Sequence, residues 1–245
     1  MKLLVTLLLS FFVTATIFAQ TKTTTTAKKA PTKTTAKTKK KSSKSNKLKT
    51  TGEMEFEEVV CYEDGPCTFT IVKRDTLVYE VNTAGKQYTL YVIPNKFDAA
   101  TIADFNWKLV GGDGRSGHVV VNTKALSGGK RYMVDLPSGE LKLNDASSLW
   151  LSSANFKEIA KGETTVTLDN SQPETFKSPE ADAVTVPINY KGKPLTLEGF
   201  SMQTKPEGEA DRKEIWAMNI SSNMLMIKVD NGNYTMQLKE VRERK

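Results

Sequence analysis

The chain has 245 residues, of which 38% are apolar, and its 35 basic and 28 acidic side chains give a formal net charge of +7. It contains one histidine and two cysteines. That inventory excludes zinc sites built on several imidazoles and disulfide-dense miniprotein scaffolds.

The first element is a leader. MKLLVTLLLSFFVTATIFAQ places Lys2 before an apolar run from Leu3 to Phe18, followed by Ala19 as a small residue for cleavage. The run is short for a bilayer span, which needs about 20 residues. Residues 1–19 therefore read as a cleaved secretory signal, and no cysteine near the cut is available for lipoprotein anchoring. Export to the periplasm or beyond follows. The lysines after the run fit a reversed signal anchor as the alternative topology.

Residues 20–51 form a linker. Its stretch 21–51 holds 11 lysines and 11 threonines, with no acidic or aromatic residue. Such a composition buries too little apolar surface to offset the entropy of ordering, so disorder is predicted. Lys2 and this tract account for 12 of the 35 basic residues, leaving 23 against 28 acidic ones, or a net −5, for residues 52–245. A nucleic-acid-binding domain carries its basic patch on the fold, so specific nucleic-acid recognition is not expected. The tract itself suits a solubilising spacer, adhesion to an anionic envelope polymer or lipid, or a glycosylated stalk.

Residues 52–245 alternate apolar and polar positions with regularly spaced turn residues, the mark of antiparallel β structure. In CYEDGPC, Cys61 and Cys67 flank turn chemistry at Asp64-Gly65-Pro66. An oxidising compartment makes them a disulfide, with Val59 set against Phe69. A redox pair is normally C-x-x-C, and two thiolates alone make a poor metal site. In TLVYEVNTAGKQYTLYVIP, a turn at Ala84-Gly85 aligns Leu77 with Val92, Tyr79 with Leu90 and Val81 with Tyr88.

The glycine run GGDGRSG matches G-x-G-x-x-G at Gly112, Gly114 and Gly117. A dinucleotide site requires a helix after the glycines, and the strand-like HVVVN follows instead, so this is a hairpin loop. His118, which begins that strand, reads as a strand-end residue rather than a catalytic base. The one helix expected lies in SSANFKEIAKG, with Asn155 and Glu158 as a capping box, Gly162 as the residue after the last turn, and Phe156, Ile159 and Ala160 inward. The segment SSLWLS, 147–152, suits either a helical extension or a strand. Residues 169–183 are polar with two prolines, a subdivision point or a long surface loop. Weaker strands are expected at 54–60, 68–73, 105–110, 118–122, 131–135, 164–168 and 214–219.

Two more hairpins follow. A turn at Lys191-Gly192 pairs Ile188 with Leu195 and Val186 with Leu197, and places Pro187 and Pro194 outward, so one of these strands should be an edge. In MLMIKVDNGNYTMQLKEV, a two-residue turn at Asn231-Gly232 would face Val229 with Tyr234, Ile227 with Met236 and Leu225 with Leu238. Met218, Met224 and Met226 put apolar groups on a second face of this region. That face calls for a covering layer or an apolar ligand. Glu55, Glu57, Glu58, Glu63 and Asp64 form the densest acidic cluster and read as a solvated face.

Together these elements make a mainly β domain of antiparallel hairpins, a sandwich or a curved half-barrel with one short helix. The leader, the cationic linker TKTTTTAKKAPTKTTAKTKKKSSKSNKLKTT and the run of hairpins resemble uncharacterised secreted β-rich proteins of Bacteroidetes type, a resemblance of general style that implies no activity. The pattern IWAMNISSNMLMIKVDNGNYTMQLKEV also resembles the strand pairs of periplasmic lipoprotein-carrier-like half-barrels. No catalytic, metal or cofactor residues are assigned. The expected role is non-enzymatic: a structural or interaction domain with a protein partner. The alternatives are a periplasmic carrier of a lipid or other apolar ligand, and a secreted carboxylate-based hydrolase.

Overall fold

A computed structural model describes residues 59–61, 65–72, 75–178 and 183–243. The leader, the Lys/Thr tract, residues 54–58 of the strand expected at 54–60, and the acidic residues Glu55, Glu57, Glu58, Glu63 and Asp64 lie outside these residues. The described residues belong to one compact unit.

The chain begins with β1 (Val59–Cys61) and β2 (Cys67–Phe69), which pair Val59 with Phe69 and carry the Cys61–Cys67 disulfide. An antiparallel meander follows: β3 (Asp75–Thr83), β4 (Lys86–Asp98), β5 (Ile102–Val110) and β6 (Ser116–Asn122). Its period is two residues, so Ala103, Phe105, Trp107 and Leu109 of β5 face inward and are buried. The β3–β4 pairing matches the expected register, with Ala84 (φ 48°) and Gly85 (φ 73°) in the left-handed conformations a tight two-residue turn demands.

The middle of the chain is less regular. It runs through α1 (Thr123–Gly128), β7 (Arg131–Tyr132), β8 (Gly139–Leu143), β9 (Ala146–Ser147), α2 (Ser153–Ile159), β10 (Glu163–Leu168) and β11 (Glu174–Lys177). Helix α1 is additional to the one expected. Its cap is Asn122, whose side chain accepts from the Ala125 amide. For α2 the cap is Ser152 rather than Asn155, and Ala160 is exposed. Asn155 is instead buried, accepting from Tyr132 Oη at 2.6 Å and donating to Thr164 Oγ1. The pattern at 147–152 is neither helix nor regular strand. Leu149 takes φ 61°, and the segment bonds Met226 N to Leu149 O and Leu151 N to Met224 O.

The last third is β12 (Val184–Tyr190), β13 (Lys193–Gln203), β14 (Glu214–Met218), β15 (Met226–Asp230) and β16 (Tyr234–Glu243). Each pairs antiparallel with the next, and β16 meets β12 in parallel through Asn189–Glu240 and Tyr190–Val241. The ring of pairings closes into a barrel. The other edge of β16 pairs with β3 along its length, so the meander extends from the barrel as a curved wing. The β12–β13 register is the expected one, and β12 meets β16 only at its end, leaving Pro187 on an edge-like stretch.

One expected register fails. Val229 pairs with Met236, not Tyr234, and Asp230 pairs with Thr235. Side-chain chemistry explains the longer loop. Asn231 Oδ1 accepts from the Asn233 and Tyr234 amides, Asp230 Oδ1 accepts from the Gly232 amide, and only Gly232 takes positive φ. The slip is by two, so Ile227, Val229, Met236 and Leu238 keep their buried face.

Candidate functional site

Cross-strand rows build one wall of a cavity. Antiparallel pairing sets Met236 beside Val81 and Val81 beside Tyr88, and it sets Leu90 beside Leu109. Tyr234 pairs with Thr83, and Trp107 lies on the same face of β5 as Leu109. The opposite wall is the loop after β7, through Val134, Asp135 and Leu136. Between them lies a cavity of about 290 Å³, apolar over most of its lining, with Asp113 and Arg115 of the β5–β6 turn at its rim.

The glycine run explains how two large rings fit there. A Cβ on Gly112 would approach the Tyr88 ring to 2.7 Å. A Cβ on Gly117, the cross-strand partner of Trp107, would collide with the Gly139 carbonyl and come within 2.8 Å of Trp107 Nε1. These glycines are seats for aromatic rings, not a phosphate cradle. Trp107 is 4% exposed, and its Nε1 has no hydrogen-bond acceptor among the described residues.

Two polar groups hold the loop wall in place. Asp169 has φ 51°, and its Oδ1 accepts from the Val134 and Asp135 amides at 2.7 and 2.9 Å. Its Oδ2 accepts from Tyr234 Oη at 3.1 Å and Asn231 Nδ2 at 3.4 Å. One carboxylate thus ties the end of β10, the loop and the β15–β16 turn together. Burial, reinforced by the Asp169 charge, raises the Tyr234 pKa and keeps its phenol a donor.

Across the rim, Arg115 Nη1 donates to Asp135 Oδ1 at 2.9 Å and Leu136 O at 3.4 Å, while Nε lies 3.1 Å from Asp113 Oδ2. Partial burial opposes the Arg115 charge, but hydrogen bonds and the charges of Asp135 and Asp113 outweigh it and raise its pKa. The guanidinium stays ionised and bridges the mouth.

The residues singled out in the sequence lie elsewhere. Cys61 and Cys67 close the β1–β2 pair and line none of the cavity. Met218, Met224 and Met226 are at most 2% exposed and belong to the buried core, while the Leu149–Leu151 backbone pairs edge to edge with 224–226 and Trp150 stacks on Phe97 at 4.8 Å. The layer over that face is protein. His118 Nε2 lies 2.9 Å from Asp104 Oδ1, which also accepts from Asn95. Neither His118 nor any cysteine borders the cavity. Among the described residues no cluster of His, Cys, Asp and Glu is arranged to hold a metal, and no helix is long and apolar enough to cross a membrane.

Sequence reasoning missed Tyr88, Trp107, Arg115, Asp169 and Tyr234. The one local signal for them was the glycine run, whose need for close approach pointed to bulky neighbours as much as to a ligand. Comparison with protein families, with curated proteins and with solved structures finds no match to this chain.

Proposed function

We propose that this protein is a non-enzymatic, exported β-domain that binds a small, largely apolar ligand between the curved wing and the loop after β7. The cavity of about 290 Å³ is the observation that carries this reading. It lies just below the usual range of about 300–1,000 Å³ for ligand sites, which are concave and apolar with a few placed polar groups, so the ligand is small. Its lining has aromatic and aliphatic side chains. Its two carboxylates, Asp113 and Asp135, are both ion-paired with the single guanidinium of Arg115 at the exposed rim, which does not set one apart as acid and the other as base. This supports binding over hydrolysis. It also moves the ligand from the methionine face to the β3–β5 face. The Cys61–Cys67 disulfide supports an oxidising compartment, and the leader supports export.

Native mass spectrometry of the protein purified from an exporting host tests the reading. A copurifying small molecule, released by organic solvent and absent when Val81 is replaced by Phe, is the expected result. A mass equal to the bare chain, together with failure to take up any small apolar probe, would count against it.

The cationic tract adds a second role, supported by its 11 lysines: adhesion to an anionic envelope polymer or lipid. Retention in the envelope fraction should fall when residues 21–51 are deleted or salt is raised. Retention that survives both treatments would contradict adhesion.

A further inference from the structure

Given the cavity reading above, on which this rests, the charges at its mouth select among apolar ligands. The rim residues are Asp113, Asp135 and Arg115, a sum of one negative charge. Arg115 is already engaged by both carboxylates, through Nε to Asp113 and Nη1 to Asp135. An incoming carboxylate or phosphate would meet a guanidinium whose charge two aspartates already offset, and a net negative rim. The aspartates stand differently. Their side chains are 62% and 61% exposed, and each carboxylate offers more acceptor positions than Arg115 occupies. Lys86 shares the face of Thr83 at the hairpin end but does not line the cavity.

Tyr88, Trp107 and Tyr234 all border the cavity. They give the apolar body of the ligand a large surface to bury and leave its charged end to the rim. Volume limits the body of the ligand, since about 290 Å³ falls just under the range of about 300–1,000 Å³ for sites that hold drug-sized molecules. From these features we infer that the ligand is a small organic cation, an ammonium group on a short alkyl or aryl body. Its charge sits at Asp113 and Asp135 and its apolar part lies against the aromatic wall.

Three probes of equal chain length test this: n-octylammonium, n-octanol and n-octanoate, titrated into the exported protein at low ionic strength by calorimetry. The ammonium should bind about tenfold more tightly than the carboxylate, the alcohol falling between them, because each sees the same apolar wall and a different charge at the rim. Replacing both aspartates, Asp113→Asn and Asp135→Asn, should shrink that difference to about twofold, and added salt should shrink it in the parent protein. Octanoate or octanol binding as tightly as the ammonium overturns the inference while leaving the cavity reading intact. If none of the three binds the folded protein, the cavity reading itself fails.

Discussion

Asp169 is the residue on which the site's geometry depends most. It accepts from two backbone amides, one phenol and one carboxamide, and it does so from a left-handed backbone position that Asp tolerates better than most residues. Replacing it by Ala leaves the Val134 and Asp135 amides without their acceptor, and Asp169→Ala should lower stability by about 2–4 kcal/mol. Tyr234→Phe removes one hydrogen bond and should cost only about 1 kcal/mol. Urea denaturation of the two variants checks the order, and equal losses would show that the loop amides do not depend on Asp169. None of this was legible beforehand. Asp169 sits in a polar stretch that reads as linker, and its partners come from positions 35 and 65 residues away in sequence.

Trp107 and Tyr88 were legible only as strand residues. Their glycine partners were visible as a motif, but a glycine serves a tight turn, a ligand or a packed ring equally well, and only the third fits here.

Single elements separate what local sequence can and cannot specify. The β3–β4 and β12–β13 hairpins have the expected registers because their turns are two residues long, with both residues at positive φ. The β15–β16 hairpin departs because Asn231 and Asp230 use their side chains to complete a longer loop. That departure matters for the site, since it frees Tyr234 from Val229, and Tyr234, paired with Thr83 on the other edge of β16, reaches Asp169.

Ala84 holds φ 48° without a side chain suited to it. Asn adopts that region more readily, so Ala84→Asn should stabilise the hairpin by about 0.5–1 kcal/mol, measured as a raised urea midpoint at unchanged slope. An unchanged or lowered midpoint would mean that the turn carries little strain.

A further element-level device is the ion network on β14 and β15. Glu214 is 7% exposed in its side chain and lies 2.7 Å from Lys228 and 2.6 Å from Arg212. Burial opposes its ionisation, but the Lys228 hydrogen bond and the charges of Lys228 and Arg212 win, and its pKa falls below 4.5. A lowered folded-state pKa means that the stabilisation is fully present above the unfolded value near 4.5 and is lost as pH falls through the folded value. The stability difference between the parent and Glu214→Gln should therefore be full at neutral pH and shrink in acid. A difference that stays constant across the range would contradict the assignment.

For the whole molecule, composition and pattern were sufficient for the β class and the antiparallel hairpins. Barrel closure was beyond them. It depends on Asn189 and Tyr190 meeting Glu240 and Val241 in parallel, a pairing about 50 residues apart that no local periodicity reports. The segment 147–152 was ambiguous for a related reason. It is irregular backbone stabilised by pairing with the chain at 224–226, and by burial of Trp150 between Phe97 and Phe105. The disulfide contributes little at this scale. Its short loop should stabilise by roughly 2 kcal/mol at most, so the reduced protein should stay folded, with a lower thermal midpoint.

The cavity between the β3–β5 face and the loop after β7 is the proposed ligand site. The most direct test is titration of the folded protein with N-phenyl-1-naphthylamine, a neutral aromatic probe whose fluorescence rises in apolar surroundings. Saturable binding at one site is expected, weakened about tenfold in Val81→Phe, whose added ring occupies the cavity while circular dichroism and thermal melting confirm the fold. No saturable binding to the folded parent, or equal binding by the Val81→Phe variant, would contradict it.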